Sequence, residues 1–164
     1  MLSHRILWVI YLLVITIFSF PNLSFSASEQ RLALLIGNSN YSHGGSLPNP
    51  VNDVRAMEKA LEVLGFTVMK YEDCSQKTMK KAMDEFGRKL KGKDVGLFFY
   101  AGHGVQVSRY NYLIPVDAEL SDEKKVEYNC VRADRVLAEM EIAGSKTNIV
   151  ILDACRDNPF ERSW

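Results

Sequence analysis

The chain has only three cysteines, Cys74, Cys130 and Cys155, in 164 residues. That is too few for the disulfide framework of a small secreted scaffold, so the fold must rest on an apolar core, and Cys74 and Cys130 read as buried structural thiols. Charge of one sign is also missing: 20 basic and 20 acidic residues cancel, and no block of like charge occurs. This excludes the electrostatic footprint of a nucleic-acid binder and leaves a small or peptide-like partner. Neither a GxGxxG nor a GxxxxGKS/T phosphate loop is present, so Gly37, Asn38 and Ser39 give no support to nucleotide binding. There is no internal repeat or low-complexity segment. The longest apolar run, from Ile6 to Phe20 with breaks only at Thr16 and Ser19, is short of the about 20 residues that a spanning helix needs.

What is present begins with that run. His4 and Arg5 precede it, Pro21 and Asn22 follow it, and small Ser24 and Ser26 occupy the minus-three and minus-one places of a cut after Ser26. This is the pattern of an export signal. The expected organisation is a signal peptide over residues 1–26 and one domain over 27–164, periplasmic or secreted. The alternative is a domain anchored by an uncleaved N-terminal segment. No cysteine lies near the cut, so a lipid anchor is not indicated.

The rest of the chain alternates between two periodicities. Arg31 to Ile36, Phe66 to Tyr71, Asp94 to Tyr100 and Thr147 to Asp153 are short apolar runs that suit buried strands. Val54, Met57, Leu61 and Leu64 recur at helical spacing up to Gly65. Met79, Met83, Phe86 and Leu90 do the same after a capping Ser75, and a third helix spans about Ala133 to Ala143 before Gly144. Val105 to Pro115 alternates around Arg109-Tyr110-Asn111, which predicts a hairpin. Strands separated by helices predict an α/β fold with a parallel sheet covered on both faces, in which ligands bind beyond the carboxyl ends of the strands.

Two unusual segments fall there: Ala101-Gly102-His103-Gly104 after the third strand and Asp153-Ala154-Cys155-Arg156 after the fourth. Taken singly, His103 reads as a turn residue and Cys155 as a small apolar one. Together, at neighbouring strand ends, they form a thiol with a base in reach, which is what nucleophilic catalysis by cysteine requires.

The segments LALLIGNSNY, LPNPVNDVRAMEKALEVLGF, GLFFYAGHG, YLIPVDA and VILDACRDNPF, in that order, resemble the caspase-like cysteine peptidases, and specifically the metacaspase and paracaspase branches. His103 also stands about 50 residues before Cys155, as in that group. The resemblance runs from Arg31 to Phe160 and implies a three-layer caspase-like fold and a cysteine endopeptidase. Cys155 would be its nucleophile, His103 its general base, and the N–H groups of Gly104 and Cys155 its oxyanion donors.

Asp153 and Asp157 stand where true caspases carry Gln and Gly, which turns the expectation from cleavage after Asp to cleavage after Lys or Arg. Asp53 and Asp153 match positions that line an acidic specificity pocket, so the implied partner is a polypeptide with a basic residue before the scissile bond. Read without the resemblance, Asp53 is a first-turn helix residue and Asp153 a strand terminus. Some metacaspases are activated by calcium. Asp117, Glu119, Asp122 and Glu123 do not have the spacing of an EF-hand loop, so a solvated acidic turn is expected, with no metal and no cofactor. Family members continue with further strands beyond the Cys155 strand. This chain ends at Trp164, so the resemblance leaves that strand at a sheet edge, open to a second chain, and keeps a non-catalytic interaction domain as the alternative function.

Overall fold

The computed structural model describes residues 29–43 and 45–154. The segment expected to be a signal peptide, Cys155 and the positions after it lie outside the described residues. Four parallel strands form the central sheet in the order β2-β1-β3-β7. These are β1 (Arg31–Gly37), β2 (Phe66–Glu72), β3 (Val95–Ala101) and β7 (Thr147–Asp153). All four were legible as apolar runs, to within one residue at each end.

The helices between them, α1 (Pro50–Val63), α2 (Gln76–Leu90) and α4 (Asp134–Ala143), supply the crossovers that parallel strands need. Alternate residues of the strands point to opposite faces, so one continuous apolar run serves two cores. Leu32, Leu34, Ile36, Phe98 and Tyr100 pack against Met79, Met83 and Phe86 of α2 and Val136 and Met140 of α4. On the opposite face Ala33, Leu35, Leu97 and Phe99 pack against Val54 and Leu61 of α1. Every residue of β3 is buried, as a central strand requires. The outcome is the expected three-layer α/β architecture.

Local signals mark the helix ends. The Ser75 hydroxyl accepts from the Thr78 N–H at 3.2 Å and caps α2. Gly144 takes the left-handed conformation, φ 72°, and closes α4.

A second, antiparallel sheet of β4 (Gly104–Val107), β5 (Tyr110–Leu113) and β6 (Val131–Arg132) stands beside the strand ends. The expected hairpin is β4–β5, and it turns at Ser108 and Arg109, both at positive φ, as a two-residue hairpin turn demands. The six-residue helix α3 (Lys124–Asn129) and the two-residue β6 were not foreseen, being too short to show a period. Val105, Tyr112, Ala118, Val126 and Cys130 give this sheet its own small core.

Among the described residues β7 pairs only with β3 and forms the sheet edge, with Ile149 and Ile151 exposed. No helix of the described residues is long and apolar enough to cross a membrane.

Candidate active site at the strand ends

In-register pairing brings Gly37, Ala101 and Asp153 side by side at the carboxyl ends of β1, β3 and β7. Backbone hydrogen bonds continue across the ends: Asn38 N–H donates to the Ala101 carbonyl at 3.0 Å, and Gly102 N–H to the Asp153 carbonyl at 3.2 Å. The chain then turns through Gly102, at φ 153°. A Cβ there would lie 2.6 Å from the Tyr41 hydroxyl and 2.7 Å from that of Tyr100, so the turn accepts only glycine.

That turn delivers His103. Its backbone N–H donates to the Tyr41 hydroxyl at 2.7 Å, and its carbonyl accepts from the Tyr100 hydroxyl at 2.8 Å and from Ile114 N–H at 3.0 Å. The imidazole packs against the Tyr41 ring, centroids 4.6 Å apart and planes tilted by 50°. Partial burial pushes the His103 pKa below its ordinary value, because the imidazolium loses hydration there. The neutral form, able to accept a proton, is favoured.

His103 lines an open cleft of about 260 Å³ with Asp53, Asp153, Gly102, Ala154 and the Leu47–Pro50 segment. Asp53 comes from the first turn of α1 and is half-buried; Asp153 ends β7 and is exposed. Three of the residues singled out in the sequence therefore share one cavity, although some 100 positions separate the two aspartates. Gly104 opens β4 beside it, opposite Leu113. Cys155 lies outside the described residues; its neighbour Ala154 lines the cleft.

Asn38 and Tyr41 lie in the loop after β1, where the sequence shows no period. Asn38 is fully buried: its amide donates to the Ile114 carbonyl at 3.0 Å and its oxygen accepts from Cys74 N–H at 2.9 Å. Asp73 holds the following residues, accepting from the N–H groups of Ser39 and Asn40 at 2.7 and 3.0 Å and from the Asn40 amide at 2.6 Å. The Asn-Ser-Asn-Tyr string after the first strand was the available signal, but nothing local tells a cross-linking amide from a turn-forming one.

Of the acidic loop, Asp117 accepts from Gln76 N–H at 2.9 Å and Asp122 from Lys125 N–H at 3.3 Å. Those bonds tie the loop to the starts of α2 and α3. Among the described residues no three His, Cys, Asp or Glu side chains are grouped so as to hold a metal.

The family model for the caspase domain matches residues 30–163, most of the chain. The chain belongs to the caspase-domain family. This caspase domain is 33% identical over 129 residues to mucosa-associated lymphoid tissue lymphoma translocation protein 1 of Homo sapiens, an alignment covering 79% of this chain and 15% of the relative. The Mus musculus homologue matches equally well, and caspase b of Danio rerio is 25% identical over 133 residues, 78% of this chain and 31% of the relative. The caspase domain thus spans less than a third of the length of each of these relatives. Membership supports a peptidase-like function and agrees with the paracaspase-related resemblance of the sequence.

Proposed function

We propose that the protein is a cysteine endopeptidase that cuts polypeptides after Arg or Lys, with His103 and Cys155 as its dyad. The observation that carries this reading is the cleft in which two carboxylates, Asp53 and Asp153, stand with the imidazole of His103. An acidic hollow beside a neutral base is what a basic side chain and an adjoining scissile carbonyl require. A guanidinium can bridge two carboxylates, while an acidic side chain would be repelled.

In this reading His103 accepts the Cys155 Sγ proton as the thiolate attacks the carbonyl carbon, and the oxyanion is held by the N–H groups of Gly104 and Cys155. Collapse of the tetrahedral adduct passes the proton from His103 to the leaving amine. Water, deprotonated by His103, then hydrolyses the thioester and restores the thiol. The paired placement of β3 and β7 supports the short reach between the two segments. Export follows from the N-terminal signal pattern, with a mature chain starting at Ala27, and N-terminal sequencing of the mature protein tests it.

Covalent labelling with a peptide electrophile bearing Arg, beside one bearing Asp, tests the catalytic reading. Selective labelling of Cys155 by the Arg probe, lost in His103→Ala, is expected. Equal labelling by both probes, or labelling unaffected by His103→Ala, would remove the dyad and the pocket and leave a non-catalytic caspase-like module.

A further inference from the structure

We propose that Tyr41 and Tyr100 are positioning residues that set, as one clamp, the imidazole of His103 and the N–H of Gly104. The inference rests on the dyad reading for its catalytic consequence, but its geometry stands apart from Cys155. A trans peptide is a rigid plane whose C=O and N–H point in opposite directions, so holding one end aims the other. His103 joins two such planes.

The Tyr41 hydroxyl accepts from His103 N–H and fixes the plane shared with Gly102. The Tyr100 hydroxyl, whose one proton is shared between the His103 carbonyl at 2.8 Å and the Ile114 carbonyl at 3.1 Å, holds the His103 carbonyl together with Ile114 N–H and fixes the plane shared with Gly104. With both planes held, φ and ψ of His103 are determined, and the Gly104 N–H is aimed away from the carbonyl that the clamp grips. The Tyr41 ring then limits the imidazole by lying against it.

The two hydroxyls converge on the space left by the missing Cβ of Gly102. Tyr41 is nearly buried and Tyr100 fully so, and burial first of all pushes both phenol pKa values upward. Both therefore stay protonated across the working range and act as fixed neutral dipoles, leaving the base role to the imidazole. Around His103, the titratable groups of the described residues are Tyr41 from the loop after β1, Tyr100 from β3, Asp53 from α1 and Asp153 from β7. Because the hydroxyls contact backbone and neither tyrosine lines the cleft that holds Asp53 and Asp153, loosening the clamp should affect the chemical step more than the capture of a basic side chain.

The experiment is an NMR titration of the His103 imidazole in the full chain, run beside steady-state kinetics on an Arg peptide substrate, for wild type, Tyr41→Phe and Tyr100→Phe. Tyr41→Phe keeps the ring but removes the acceptor. It is expected to lower kcat by about ten- to a hundredfold with KM within about threefold, and to move the His103 titration toward that of an ordinary histidine. Tyr100→Phe, which leaves Ile114 N–H in place, is expected to cost less.

An unchanged His103 titration together with unchanged kcat in Tyr41→Phe would overturn the clamp, as would a rise in KM alone. If the wild type shows no turnover, the dyad reading fails while the titration still decides whether Tyr41 sets the imidazole. Should Tyr41→Phe fail to fold, Tyr100→Phe carries the same comparison on the other plane, and an unchanged titration together with unchanged kcat there would overturn the clamp.

Discussion

The backbone N–H of Gly102 donates to the carbonyl of Asp153 at 3.2 Å, so the residue before His103 is bonded directly to the strand end that leads into Cys155. This bond continues the β3–β7 ladder past Ala101 and sets the spacing of the two segments that carry the proposed chemistry. Its donor can be only glycine, because both tyrosine hydroxyls occupy the place of a side chain.

Gly102→Ala should therefore cost about 1–3 kcal/mol of stability, as a strained backbone position with a steric conflict does. Urea denaturation measures it. Selective labelling of Cys155 should fall with it, even at concentrations of denaturant where both proteins remain folded.

Loss of either cleft carboxylate should weaken selection for a basic residue. Asp53→Asn and Asp153→Asn are each expected to lower kcat/KM on an Arg substrate by about ten- to a hundredfold, the range of a charge-assisted hydrogen bond. The half-buried Asp53 should show the larger loss, because the exposed Asp153 is better screened. A substrate with Gln in place of Arg should be nearly indifferent to both changes, and an equal loss on both substrates would place the two aspartates outside the pocket.

Thiol reactivity should separate the cysteines. Burial pushes the pKa of Cys74 and of Cys130 up to about 12, and both thiols are free. At pH 8 roughly one in ten thousand of either would be thiolate, and neither is accessible. Ellman's reagent should then titrate one thiol in the native chain and three in 8 M urea; more than one fast-reacting thiol in the native protein would contradict the burial of Cys74 or Cys130.

Asp73 makes an acid-sensitive tether for the loop that ends in Tyr41. Burial alone would raise its pKa, but the hydrogen bonds from Asn40 and Ser39 outweigh it and hold the carboxyl below its ordinary value. A carboxylate with a depressed folded-state pKa contributes stability above its unfolded value, about 3.9, and loses that contribution as pH falls through the folded value. Asp73→Asn should melt a few degrees lower than wild type at pH 7, with the two Tm values converging as the pH drops below about 3. A constant difference across that range would show that the charge is not what Asp73 contributes.

Removing the buried amide that ties three segments should be more costly than the loop position suggests. Asn38→Ala leaves the Cys74 N–H and one acceptor bond of Ile114 without a partner, and a loss of about 1–3 kcal/mol is expected in chemical denaturation. Asn38→Leu should fare no better, since added apolar volume satisfies neither group.

The order of elements was legible in the sequence because burial on both faces of a parallel strand demands an unbroken apolar run, and burial on one face of a helix demands a stripe. Arg31–Gly37 and Val95–Ala101 show the first, and Met79, Met83, Phe86 and Leu90 the second. Ser75, Gly65 and Gly144 punctuate them for reasons confined to a single turn of chain. His103, Asp53 and Asp153 could be named from the same string, but their meeting in one cleft depended on β7 pairing with β3 and on α1 starting beside the end of β1. Those pairings join residues far apart in sequence, and no local period encodes them.

Tyr41, Tyr100 and Asn38 mark the rest of that boundary. Apolar periodicity records which side chains leave water, and it does so residue by residue. A hydroxyl that grips another segment's backbone is specified by where that backbone passes, so the sequence by itself determined the strands, the helices and the chemistry available at their ends. Only the tertiary structure decided which groups hold His103 in place, because a hydrogen bond between distant segments exists only once packing has brought donor and acceptor within about 3 Å.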